Sequence, residues 1–123
     1  MQTETRANID QVSDGNNGRI TVLRFSGDIS STSRNALLGS YAGIDKSLPV
    51  LLDFTKVDYI NSSGIALVIQ ILMEANKLGQ KVAAFGLTPH FQKVFTMVGI
   101  VKYASIFPDE ASATASISSS ATA

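Results

Sequence analysis

Cysteine and tryptophan are both missing from this 123-residue chain. Without cysteine there is no disulfide, no thiol nucleophile and no thiolate metal site. A single histidine, His90, excludes a cluster of imidazole ligands. Charge is scarce and has no net sign: 10 basic residues stand against 10 acidic ones, and together they make up 16% of the chain, below the roughly 25% usual in soluble domains. A dedicated nucleic-acid binder would carry a basic surplus, so that class is set aside and protein partners stay open. Long apolar runs are lacking too. The most apolar stretch, residues 64–73, is interrupted by Gln70 and falls well short of the ~20 residues that span a bilayer. Residues 1–5 are polar and lack the apolar centre of a signal peptide. The expectation is a cytoplasmic protein with no cofactor, no metal, no membrane and no direct nucleic-acid partner.

What the chain does have is apolar content, 45%, enough for one real core. Residues 6–12 are weakly strand-like and 19–25 strongly so. Between them Ser13-Asp14-Gly15-Asn16-Asn17-Gly18 is a dense turn signal, and the pair predicts a β-hairpin. Gly27-Asp28-Ile29-Ser30 closes the second strand, and Ser30, Ser31 or Thr32 can cap a helix. Leu37, Tyr41 and Ile44 share one helical face, weakened by Gly39. Residues 49–54 are almost continuously apolar, as in a strand buried on both faces. A turn over 57–61 then leads into a helix over 62–78, stopped by Gly79. Its polar stripe is Gln70, Glu74 and Lys77. A strand over 81–85 follows. Thr88 and Pro89 open another helix, with Phe91, Val94, Phe95 and Val98 as its core stripe, and 103–107 is a last short strand. Strand–helix–strand repeats imply parallel pairing, with an antiparallel edge from the hairpin. Residues 111–123 are almost only Ala, Ser and Thr, with a single Ile117. They are expected to begin as a short helix and end without order.

Sites in such sheets lie beyond the C-terminal ends of parallel strands. There Asn61-Ser62-Ser63-Gly64 places two hydroxyls at the positive end of a helix macrodipole. The simple reading is capping by Asn61 or Ser62, with Gly64 permitting close packing. The same position also suits a regulated charge. A phosphoryl group on Ser62 would add about −1.5 to −2 charge at pH 7. The helix end tolerates it, while a protein docked over the spot would not.

The run Leu51-Leu52-Asp53-Phe54-Thr55-Lys56-Val57-Asp58-Tyr59-Ile60-Asn61-Ser62-Ser63-Gly64-Ile65 resembles the signature of STAS domains, specifically the bacterial anti-sigma factor antagonists. Gly27-Asp28-Ile29 is similar to that family's Gly-Glu-Leu. Gly86-Leu87-Thr88-Pro89 and Val94-Phe95-Thr96-Met97-Val98-Gly99-Ile100 resemble its third-helix region. The resemblance implies an α/β fold: a single STAS-like domain over 1–110, with a mixed, mostly parallel sheet, an antiparallel N-terminal hairpin and packed helices. It implies a non-enzymatic role as an anti-sigma factor antagonist. The unphosphorylated form would bind an anti-sigma factor that is also a serine kinase and so release the sigma factor. Phosphorylation at Ser62, with Ser63 the lesser alternative, would end binding, and a serine phosphatase would reset it. The implied partner surface is Asp28, Ser30, Asp53, Asn61, Ser62, Ser63, Gly64 and Ile65. Two positions depart from the family: Asn61 stands where Asp is usual, and Ser30 replaces an Asp. A non-switching scaffold is therefore the alternative. Asp53 has a simpler reading, hydrogen bonding that holds its own loop, and His90 that of an ordinary surface side chain.

Overall fold

In the computed structural model the described residues are 4–15 and 18–121, with side chains described to residue 117. The strands are β1 (Arg6–Ser13), β2 (Arg19–Ile29), β3 (Val50–Ile60), β4 (Val82–Phe85) and β5 (Ser105–Phe107). They form one sheet in the order β1-β2-β3-β4-β5. The β1–β2 pair is antiparallel and every other pair is parallel, as the strand–helix alternation predicts. The expected turn at 13–18 includes residues 16 and 17, outside the described ones. Around them the Asp14 N–H donates to the Gly18 carbonyl at 3.1 Å.

The helices are α1 (Ser40–Ala42), α2 (Ser62–Leu78), α3 (Pro89–Met97) and α4 (Glu110–Ala121). The segment before α1 is not one regular helix. A 3-10 turn, Ser31–Ser33, passes into a π-helical stretch, Asn35–Gly39. Leu37, Tyr41 and Ile44 are nonetheless buried together. Gly79 ends α2 in the left-handed region, at φ 69°, a conformation that glycine adopts without strain. Thr88 caps α3 through the Phe91 N–H, with Pro89 in the first turn. Val98 departs from its expected core position: it lies past the end of α3 and is exposed, whereas Phe91 and Phe95 are buried.

Alternation along the strands divides the core in two. Leu23, Phe25, Leu52 and Phe54 point to the face covered by α2, α3 and the 31–44 segment. Val22, Leu51, Ala83 and Phe85 point to the opposite face, where Ala113 and Ile117 of α4 cover them. The all-round burial of Val50–Phe54 thus depends on the Ala/Ser/Thr-rich segment. The expectation for its extreme end falls on residues 122–123, outside the described ones.

β3 runs further than its apolar core. The turn expected at 57–61 is strand as far as Ile60, because Asp28 and Ile29 of β2 pair with Tyr59 and Ile60 across two register shifts.

Candidate functional site

The end of β3 delivers the chain to the start of α2 with little freedom. The Asn61 N–H donates to the Ile29 carbonyl at 3.1 Å, locking the ends of β2 and β3 together. Asn61 is extended (φ −89°, ψ 180°) and its side-chain oxygen accepts the Gly64 N–H at 2.8 Å. Its carbonyl accepts the Ile65 N–H at 2.9 Å. Asn61 is therefore the N-cap, and Ser62 and Ser63 are the first two helical residues, both exposed. Among the described residues the Ser62 hydroxyl has no hydrogen-bond partner. No acidic residue lies in this first turn. A free hydroxyl thus stands beside unsatisfied backbone N–H groups at the positive end of a 17-residue helix.

Gly64 is buried, and a Cβ there would overlap the Ile29 carbonyl oxygen and approach the Ile29 Cγ2 to 2.8 Å. Missing side-chain volume is what lets α2 start directly against β2. Ile65 is half-buried and packs on the main core, anchoring the turn that carries the serines. Three residues before Ser62, Tyr59 is 55% exposed and rests edge-on against Phe91 with centroids 6.0 Å apart. Asp28 is its cross-strand neighbour. Asn61, Ser62, Ser63, Gly64, Ile65 and Asp28 are thus brought to one end of the sheet.

The other two expected partner residues are buried, Ser30 at this same end, directly after Ile29, and Asp53 away from it. Ser30 is buried, and its hydroxyl accepts the Thr32 N–H at 3.4 Å while the Ser30 N–H donates to the Ser33 hydroxyl at 2.8 Å. Ser30 caps the 3-10 turn that follows it. Asp53 is only 7% exposed and sits in the middle of β3, not beyond its end. It accepts the Thr55 N–H at 2.8 Å and pairs with the Arg24 guanidinium at 3.0 Å. That is its simpler reading, a carboxylate holding its own backbone. His90 is exposed at the start of α3, with its ring edge-on to the neighbouring Phe91 ring.

Two features escaped the sequence reading. The sequence pattern puts Tyr59 in a turn, although buried Val57 and Ile60 flank exposed Asp58 and Tyr59. Arg24 gathers Asp10 (2.6 Å), Asp53 (3.0 Å) and Glu110 (2.8 Å). Its affinity for its proton is raised, by the hydrogen bond to Glu110 first and that to Asp10 next, against the opposing effect of burial. Its three acids are scattered along the chain, so no local signal could reveal them. Among the described residues no group of His, Asp and Glu is placed to hold a metal ion, and no helix is long and apolar enough to cross a membrane.

The family model for the STAS domain matches residues 11–113. No curated protein matches the chain. Among solved structures, the chain resembles an anti-sigma factor antagonist from Mycobacterium paratuberculosis (TM-score 0.73, 14% identity, 93% of this chain and 94% of that one covered). A putative anti-sigma factor antagonist from Thermotoga maritima is similar (TM-score 0.71, 12% identity, 90% and 93% covered). So is the Bacillus cell fate determinant SpoIIAA in its phosphorylated form (TM-score 0.58, 16% identity, 86% and 95% covered). At such identities the likeness establishes the fold.

Proposed function

The chain belongs to the STAS domain family, and from that premise we propose that it is a cytoplasmic anti-sigma factor antagonist switched by phosphorylation of Ser62. In this reading the unphosphorylated protein binds an anti-sigma factor that is also a serine kinase, and the sigma factor is released. The kinase phosphorylates Ser62, the complex separates, and a serine phosphatase restores the hydroxyl. In this reading the domain itself binds and does not catalyse.

One observation carries the reading. Asn61 does the capping, so the Ser62 hydroxyl is exposed and uncommitted, one residue inside a helix end that favours negative charge. A phosphoryl group there leaves the fold's own hydrogen bonds intact. It also sets about −1.5 to −2 charge three residues from Tyr59, the exposed aromatic that a partner would cover. Aromatic side chains of this kind are favoured at interface centres, where an unpaired charge is costly to desolvate.

Binding of candidate anti-sigma kinases to the wild type, Ser62→Ala and Ser62→Asp tests this. Ser62→Ala is expected to bind as the wild type does and to stay bound when ATP is added. Ser62→Asp is expected to bind at least about tenfold more weakly, the loss expected when charge is buried in an interface without a partner. Equal affinity of the two variants would sink the switch. A wild-type protein that never carries a phosphoryl group in its native cell would favour the constitutive scaffold instead.

A further inference from the structure

The end of the domain opposite Ser62 has its own surface chemistry. Between Glu74 and Asp109 the chain contains four lysines and no acidic residue. Of the four, Lys77 pairs with Glu74 at 3.9 Å, whereas Lys81, Lys93 and Lys102 make no ion pair among the described residues and are exposed. The same region holds most of the exposed large apolar side chains: Leu78, Met97 (76% exposed), Val98, Val101 and Tyr103. Met97, Val98, Val101 and Tyr103 sit on one sharp reversal, where α3 passes through Gly99 (φ 85°) into a 3-10 turn, Ile100–Lys102. Only Ile100 turns inward there. The position of a Cβ on Gly99 has no atom within 4 Å, so the reversal is open to its surroundings. Lys81, Val101, Lys102 and Tyr103 line one shared depression beside it, and Lys93 lies one helical turn from Met97 on α3.

We propose that this end of the domain, led by the 97–103 reversal, seats on an anionic lipid bilayer surface. Lys81, Lys93 and Lys102 carry charge of one sign with no ion-pair partner among the described residues, which suits an anionic plane and opposes a second copy meeting it through the same patch. Met97 and Val98 stand on the open reversal, outside the depression that Val101 and Tyr103 line, so they can enter a soft interface without needing a matching cavity. Lysine stems lie along such an interface with their ammonium groups at headgroup level, and a tyrosine suits the boundary. The expectation of no membrane partner rests on the lack of a spanning run, and surface seating needs none. Because α2 runs from Ser62 at one end of the sheet to Leu78 at the other, about 25 Å at 1.5 Å per residue, a domain so seated holds Ser62 away from the lipid.

Sedimentation of the whole chain with phosphatidylcholine vesicles, with and without phosphatidylglycerol, tests this directly. The wild type is expected to sediment with the anionic vesicles, more weakly as salt rises, and not with the neutral ones. Lys81→Glu/Lys102→Glu and Met97→Ser/Val101→Ser are each expected to lower the anionic-vesicle affinity by about tenfold or more. All four positions are exposed, and an unchanged circular dichroism spectrum will confirm that the variants fold. No binding to anionic vesicles, or binding that neither variant weakens, overturns the proposal. A protein ligand that needs these residues, with no lipid binding, overturns it in favour of an acidic protein partner.

Discussion

At residue 64 the missing side chain has a stated job. α2 begins so close to β2 that a methyl group would have to displace the Ile29 carbonyl, and backbone on both sides of the contact cannot yield cheaply. Gly64→Ala is expected to cost about 3 kcal/mol or more, seen as a lower urea midpoint. An unchanged midpoint would show that the helix start can shift. The neighbouring positions separate capping from switching. Asn61 accepts the Gly64 N–H, so Asn61→Ala is expected to lose about 1 kcal/mol, while Ser62→Ala stays within about 0.5 kcal/mol of the wild type. Denaturant titration of both variants checks the pair, and a larger loss at Ser62 would reverse the assignment. Sequence alone left the cap open between the two because both residue types cap well. The extended backbone of Asn61 decides it, and that conformation is imposed by the bond from its N–H to Ile29, a partner 32 residues earlier in the chain.

At the scale of elements, legibility followed periodicity. α2 is legible at its true bounds, because a clear apolar stripe lies between a capping residue and a terminating glycine. β3 looks shorter in the sequence than it is, because Thr55, Lys56, Asp58 and Tyr59 are exposed and break the apolar run. Pairing with the far end of β2 keeps them in the sheet, and that is a long-range fact. α4 was the hardest to foresee, since only Ala113 and Ile117 of its described side chains are buried. Its cover over Leu51 and Phe85 nevertheless explains why β3 could be read as buried on both faces. Leu52→Ala, in the middle of that strand, is expected to cost about 2–5 kcal/mol, and Ile117→Ala about 2 kcal/mol, with heightened amide exchange along α4. Acid is expected to loosen the same helix. The Asp109 carboxyl is held below its ordinary range by the Ser112 hydroxyl and then by the Ser112 N–H. A depressed folded value stabilises above the unfolded one, and the contribution is lost as pH falls through the folded value. Protection of the Ser112 and Ala113 amides should therefore drop at acid pH in the wild type and lose this dependence in Asp109→Asn.

For the molecule as a whole, the cross-tie is Arg24. From β2 it holds Asp10 on β1, Asp53 on β3 and Glu110 at the start of α4, so one guanidinium joins three strands to the helix beneath them. Its three bonds are unequal in value. Asp10 and Glu110 have much of their side chains in solvent, where ion pairs contribute little. Asp53 is enclosed, and without Arg24 it keeps only the Thr55 N–H. Arg24→Met is therefore expected to destabilise by about 1–3 kcal/mol, nearly all of it from stranding that carboxylate. Arg24→Met combined with Asp53→Asn should recover part of the loss, whereas Arg24→Met combined with Asp10→Asn should not. Chemical denaturation of the four proteins distinguishes these cases. Equal recovery from both double variants would mean that the network acts through its summed charge instead of through one buried group. Because Asp53 lies mid-strand and its partner lies on the α4 side of the sheet, these variants should leave partner binding at Ser62 unchanged wherever the protein is folded.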